Sequence, residues 1–145
     1  MGVDYAVNAV GFIESPKPRE NVFKLLKKLG YKVPNIIHKT AVIEPSVKLG
    51  EGNHIFANAI IGSNSIIGNN CIINSSSVLT HDIMINNNVH ITPGALVAGY
   101  VTIGSATIIG MGSTVYFKVK IGSNVKIYNG CNIIGDIPDG SIVRK

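Results

Sequence analysis

The stretch THDIMINNNVH, Thr80 to His90, places two histidines nine residues apart and sets Asp82 directly after the first of them. A neutral imidazole near pH 7 can take a proton from an attacking group. An adjacent carboxylate can fix the tautomer of that imidazole and raise its basicity. The same residue types ligate metals, and they also occur as solvated surface groups without chemistry. His81, Asp82 and His90 therefore read as an acid–base arrangement, a metal site or unrelated surface residues. The elements that carry them decide among the three.

Those elements come from a repeat. Read in sixes from Ile37 to Ile133, the chain has Ile, Leu or Val at every first position across seventeen units, with no insertion. The second position is Gly in six of them, and the fifth is mostly small or β-branched. Strand side chains alternate with period two, so a period of six keeps the first and fifth residues on one face, whereas a helix would drift out of phase. This is the hexapeptide repeat of a parallel β-helix. Three units make one coil of a triangular prism, so seventeen units predict between five and six coils, rising about 4.8 Å each.

The repeat constrains the histidines. His81 is third in its unit and His90 sixth in the next, half a coil apart and on different sides. A side of six extended residues spans up to roughly 20 Å. The two rings are not expected to meet within one chain, but they can meet if a second prism packs alongside. Asp82 can reach His81 only where a turn breaks the strand alternation. Zinc needs three or four ligands about 2.0–2.3 Å from one point. His54 and His90 share a column two coils, or roughly 9.6 Å, apart. Ile72 lies between them and His38 falls on another side, so no metal site is expected. Asn86, Asn87 and Asn88 read as corner residues at positive φ.

Composition agrees with a strand-rich, folded chain. Of 145 residues, 46% are hydrophobic and 14% charged, the reverse of a disordered balance. The formal charge of +5 suits a small polyanion such as coenzyme A or a nucleotide sugar. No Lys/Arg run interleaves with aromatics, so nucleic acid is not an expected partner. The basic cluster from Lys24 to Lys32 reads as the solvated face of a helix. Cys71 and Cys131 share the fifth slot of the repeat and read as buried free thiols. No signal peptide is visible and no apolar run approaches the ~20 residues of a membrane span, so the expectation is a cytoplasmic protein with no membrane partner.

Two units are expected. Residues 1–36 read as a strand over Tyr5 to Ile13, a helix opened near Pro18 and stopped at Gly30, and a strand leading into the prism. Residues 37–145 form the prism, with room for one final strand after Ile133.

The stretch HDIMINNNVHITPGALVAGYVTIG, from His81 to Gly104, resembles the bacterial sugar acetyltransferases that include sialic acid O-acetyltransferases and UDP-bacillosamine N-acetyltransferases. The stretch from Asn8 to Ser46 is similar to that family's junction between a nucleotide-sugar domain and the prism. The resemblance implies an all-β, left-handed parallel β-helix, with residues 1–36 the remnant of a nucleotide-sugar-binding α/β domain. It implies a homotrimer with active sites in the clefts between prisms, acetyl-CoA as donor without a metal, and a sugar or nucleotide-sugar acceptor acetylated on nitrogen or oxygen in surface-glycan biosynthesis. By resemblance, His81 is the general base, Asp82 its orienting partner and His90 a contact to the acetyl-CoA end. A backbone N–H near Gly99 would serve the oxyanion, Met111 and Asn129 would contact the coenzyme, and Asn74 would lie near the acceptor. Asn129 and Lys118 stand where the family tends to have Gly. Lys118 reads as a turn lysine or a phosphate contact. The Gly-rich nucleotide loop typical of the family does not occur in this sequence, which leaves a catalytically inactive assembly module as the alternative.

Overall fold

The computed structural model describes residues 2–145. From Ile36 onward they wind into a left-handed parallel β-helix of three sheets. Each strand has two residues, the sixth of one hexad and the first of the next, as in His54–Ile55, Ile60–Ile61 and Ile66–Ile67. The first sheet stacks seven strands from Ile36–Ile37 to Ile142–Val143. The second stacks six from Val42–Ile43 to Asn132–Ile133, and the third five from Lys48–Leu49 to Lys120–Ile121. Each coil hydrogen-bonds to the next, as where His54 N–H donates to Cys71 O and Ile72 N–H to Val89 O.

The hexad explains the core. First-slot side chains are buried in every unit from Ile55 to Ile133, and fifth-slot side chains from Ala59 to Cys131 are buried beside them. Removing each large aliphatic from water contributes about 1.5–3 kcal/mol. Cys71 and Cys131 are buried free thiols, as expected, and burial pushes the Cys71 thiol up to about 12.

The corners obey a narrower rule than the sequence suggested. Only the fourth residue turns left-handed. From Gly52 to Gly130 it has φ between 53° and 70° in every hexad. Of the three asparagines expected there, only Asn88 has positive φ, while Asn87 uses its Oδ1 to accept from Asn69 N–H. Second-slot glycines serve a different purpose. A side chain on Gly62 would strike the Thr80 carbonyl of the next coil, so the missing Cβ permits the close stacking.

The N-terminal segment caps the early coils. The helix Lys17–Lys28 has a proline in its first turn and ends before Gly30, whose φ is +84°. Its Phe23 ring lies over Gly52, close enough that a Cβ there would meet Phe23 Cε2 at 2.7 Å. The strand expected over Tyr5 to Ile13 shrinks to a single bridge, Tyr5 to Lys32. Side chains anchor the remainder instead. Phe12 packs on Ile72 and Ile108, outward residues of the first sheet. Arg19 is 1% exposed, and its guanidinium donates to the carbonyls of Asn8, Val10, Gly52 and Asn70 at 2.7–3.1 Å. Asn8 Nδ2 completes the knot by donating to Arg19 O and Asn70 Oδ1. Burial lowers the Arg19 pKa to about 10, which still leaves it charged at neutral pH.

At the far end the last coil is shorter. Lys126 pairs with Ile142 and Ile121 with Ile137, each sixteen residues on instead of eighteen. No helix among the described residues is long and apolar enough to cross a membrane.

Replacing Arg19 with Met strands four backbone oxygens without their donor. The expected cost is at least about 3 kcal/mol, read from urea unfolding. Hydrogen exchange should accelerate over residues 5–13 while the coils from Ile55 onward keep their protection. Equal loss of protection everywhere would count against this division.

Candidate active site

His81 and Asp82 occupy the third and fourth slots of a corner, between the strands Val78–Leu79 and Met84–Ile85. Asp82 has φ +53°, the left-handed turn that breaks the strand alternation. Its carboxylate thereby swings beside the preceding ring, and His81 Nδ1 lies 2.9 Å from Asp82 Oδ2. Asn64, one coil earlier, donates to the other oxygen at 3.3 Å. With Nδ1–H donating to the carboxylate, His81 Nε2 carries the lone pair, on a side chain 47% exposed.

The next coil sets the position of the ring. Gly99 is one coil beyond His81, and a Cβ on it would lie 2.5 Å from His81 Cε1. The imidazole therefore rests on the bare Gly99 backbone. Gly99 O accepts from Lys118 N–H and Tyr100 N–H donates to His81 O. Tyr100 meets the His81 ring edge-on at 5.4 Å and 87°, and Phe117 meets Tyr100 likewise. Tyr100 achieves this from the left-handed slot, at φ +60°, a conformation costly for a bulky residue.

His90 belongs to another face. It is an outward residue of the first sheet, paired between Ile72 and Ile108, and only 6% exposed. Its Nδ1–H donates to Phe12 O at 2.7 Å, which leaves Nε2 to accept from Asn74 Nδ2 at 3.0 Å. Asn74 Oδ1 in turn accepts from Ser75 N–H. His90 is thus a buried neutral imidazole with both nitrogens engaged. Burial pushes its pKa below 6.5, the Phe12 carbonyl acts the other way, and the Arg19 charge lowers it further.

A cleft of about 360 Å³ runs along this face from Asn74 and His90 past Thr92, Ile108 and Met111 to Lys126, Tyr128 and Asn129. Ile13 and Glu14 of the N-terminal arm form one wall. Across the arm a second hollow opens between Phe12, Pro18, Phe56 and Ile72, again reaching His90. Met111 N–H donates to Asn129 Oδ1 at 2.9 Å, so the asparagine side chain occupies that amide.

The sequence-derived residues therefore fall into two groups. His81, Asp82 and Gly99 meet at one corner, while Asn74, His90, Met111 and Asn129 line one cleft. Within one chain His81 is not among the residues of that cleft. Lys118 stands at a corner with φ +62° and its ammonium over Phe117, away from the cleft. His54 and His90 lie two coils apart with Ile72 between them. Among the described residues no three His, Cys, Asp or Glu converge as a metal cluster. Sequence reasoning missed Tyr100, whose signal was an aromatic in a slot otherwise filled by small or polar residues. It also missed Phe12, Glu14, Lys126 and Tyr128, which gave no local signal.

Residues 46–81 match the bacterial transferase hexapeptide (six repeats) family. No curated protein matches the chain. Among solved structures, the chain is similar to a variant of perosamine N-acetyltransferase from Caulobacter crescentus in complex with CoA and GDP-perosamine. Identity is 32% and TM-score 0.87, over 90% of this chain and 62% of that one. It is equally similar to the acetyltransferase domain of PglB from Neisseria gonorrhoeae in complex with acetyl coenzyme A, at 32% and 0.87, over 90% and 63%. WeeI from Acinetobacter baumannii follows at 27% and 0.85, over 91% and 65%. The chain spans less than two thirds of the length of each.

Two outcomes follow from this geometry. Gly99→Ala should displace the His81 ring and break its bond to Asp82, seen as a shift of the His81 imidazole signals by NMR. Because that ring is half-exposed, stability should change by less than about 1 kcal/mol. Burial also lowers the pKa of His54, with Arg19 adding to the effect. For both His54 and His90, the unfolded chain binds protons that the folded chain refuses. Stability should therefore fall as pH drops below 6.5, and the decline should end below the folded values. Urea midpoints between pH 7.5 and pH 5 check this, and His90→Gln should flatten the slope.

Proposed function

We propose that this chain is the acetyl-transferring part of an acetyl-CoA-dependent sugar acetyltransferase, acting on an amino or hydroxyl group of a sugar or nucleotide sugar in surface-glycan biosynthesis. The observation that carries this reading is the His81 imidazole held between the Asp82 carboxylate and the Gly99 backbone, with Nε2 open. The structural neighbours bound to acetyl coenzyme A, or to CoA and a nucleotide sugar, support it. The cleft beside His90 has the long, largely apolar walls that a coenzyme arm would need.

Acetyl-CoA would supply an activated thioester carbonyl. His81 Nε2 takes the proton of the attacking amine or hydroxyl, and Asp82 accepts from Nδ1–H to stabilise the imidazolium that results. The Gly99 N–H serves the carbonyl oxygen as negative charge develops on it; collapse then breaks the C–S bond, and the imidazolium gives its proton to the departing CoA thiolate. Asn74 and His90 orient the acetyl end of the cleft, and Met111 and Asn129 flank the coenzyme arm. Asn74 Nδ2 and Met111 N–H already have protein partners. Their part is thus to shape the wall, leaving the Met111 side chain and neighbouring carbonyls for contact.

His81 of one prism meets His90 of its neighbour in a homotrimer. Exposed apolar side chains support such packing on both sheets that flank the His81 corner: Val42, Ile60 and Leu96 on one, Ile66 and Met84 on the other. Water-facing aliphatics in registered columns are what a second prism would cover. The inactive-assembly reading leaves the His81–Asp82 pair and the bare Gly99 beneath the ring unexplained. A cytoplasmic site of action follows from the donor.

His81→Ala should lower CoA release with an amino-sugar nucleotide by at least ~10², the usual scale for a general base. Asp82→Asn should lower it less. Unchanged turnover in His81→Ala would remove the base from the mechanism. Sedimentation should give a trimer, and Met84→Glu should dissociate it with loss of activity.

A further inference from the structure

The cleft beside His90 ends in a cluster of cations. Lys126 lies in the same outward column as His90, two coils on, with Ile108 between them. Its side chain is only 25% exposed and lines the cleft. Tyr128, also in the lining, has the Lys126 ammonium 5.1 Å from its ring centroid and the Arg144 guanidinium at the same distance. Lys145 Nζ lies close over Gly130. The ring holds the Lys126 and Arg144 charges within about 10 Å of each other, near one Debye length, where like charges still repel. The one carboxylate in the lining is Glu14, 3.8 Å from Lys126 and 93% exposed, too solvated to neutralise the cluster.

We propose that Lys126 and Arg144, gathered on Tyr128, bind the phosphate-bearing nucleotide end of the acetyl donor; this rests on the acetyl-CoA reading above. Distance selects this ligand over the acceptor. Arg144 follows the strand Ile142–Val143, which lies three coils beyond His90, or roughly 14 Å. A ligand that reaches from the imidazole to the cations needs its reacting group and its phosphates at opposite ends of a long arm. Coenzyme A has that build. In a nucleotide sugar the sugar is joined directly to the diphosphate, so its phosphates would lie beside the reacting group. Charge-assisted contacts from lysine and arginine match phosphate oxygens, and Glu14 is exposed enough to leave Lys126 when a phosphate arrives. Lys118, the lysine that the family resemblance singled out, is not in this cleft.

Calorimetric titration of the full chain tests the assignment with four probes: CoA, adenosine 3′,5′-bisphosphate, pantetheine and uridine diphosphate. Lys126→Gln and Arg144→Gln keep the stems and remove the charges, and thermal melts confirm that both variants fold. Each should weaken CoA at least about tenfold and abolish adenosine bisphosphate binding while leaving pantetheine unchanged. Added salt should weaken CoA more steeply in the wild type than in the variants. CoA binding within about twofold of wild type in both variants would overturn the clamp while leaving the coenzyme reading intact. Equal weakening of CoA and pantetheine would overturn it too, assigning the residues to the shape of the cleft. Uridine diphosphate bound as well as adenosine bisphosphate, and lost in the variants, would overturn the assignment to the donor. A wild type that binds adenosine bisphosphate through these residues, but releases no CoA from acetyl-CoA, would support the clamp and sink the acetyltransferase reading. Binding of neither CoA nor adenosine bisphosphate would sink both.

Discussion

The structure depends on one constraint: all coils but the last must repeat at eighteen residues so that first-slot aliphatics stack on one another. A single inserted residue would turn the inward column outward for the remainder of that side. The unbroken burial from Ile55 to Ile133 therefore reflects a register held fourteen times over by a left-handed fourth residue. Chemistry inherits this register. His81 rests on Gly99 because the two are eighteen residues apart, and His90 stands between Ile72 and Ile108 for the same reason. A coil geometry imposed by hydrophobic burial thus decides which side chains become neighbours.

The corner conformation couples to the candidate site through one residue. A carboxylate immediately after a histidine in a strand would point to the opposite face. At the fourth slot it instead has a left-handed backbone, which Asp tolerates better than most residues. The turn that the prism requires for closure is the turn that pairs Asp82 with His81. On the other face, the tautomer of His90 is set from outside the repeat. The Phe12 carbonyl takes Nδ1–H, and Phe12 is held on an arm that Arg19 ties to Asn70 and Gly52. Without the arm, His90 Nδ1–H would lose its acceptor and face water, and Asn74 alone would orient the ring.

Much of this was legible in the sequence, because a repeat turns spacing into geometry. The aliphatic column, the buried thiols, the separation of His81 from His90 and the spacing of His54 from His90 all follow from counting in sixes. The His81–Asp82 contact was legible only as a condition, that a turn must intervene. Part of what counting could not reach lies outside the repeat or where the repeat changes. Arg19 sits on a helix among lysines, and its burial depends on a fold the helix does not encode locally. The strand expected at Tyr5 to Ile13 failed because Asn8 and Phe12 find side-chain partners that outweigh ladder bonds. Asn86 and Asn87 have the composition of a left-handed corner but stand in the wrong slots for one.

The shortened last coil is the most consequential of these departures. At the regular spacing, the residue stacked beyond Tyr128 would be number 146. The step of sixteen brings Arg144 there instead, so a guanidinium closes over an aromatic ring that already carries Lys126. The same two-residue deficit therefore concentrates charge at the end of the cleft. Apolar side chains line its middle and a neutral imidazole its beginning. The walls grade from polar at His90 through apolar at Ile108 to charged at Lys126. The gradient arises because one column of outward positions runs Ile72, His90, Ile108, Lys126, each placed by the coil below it. A left-handed prism can thus grade a binding surface along its axis by single substitutions at eighteen-residue intervals, without disturbing the aliphatic stack that supports them.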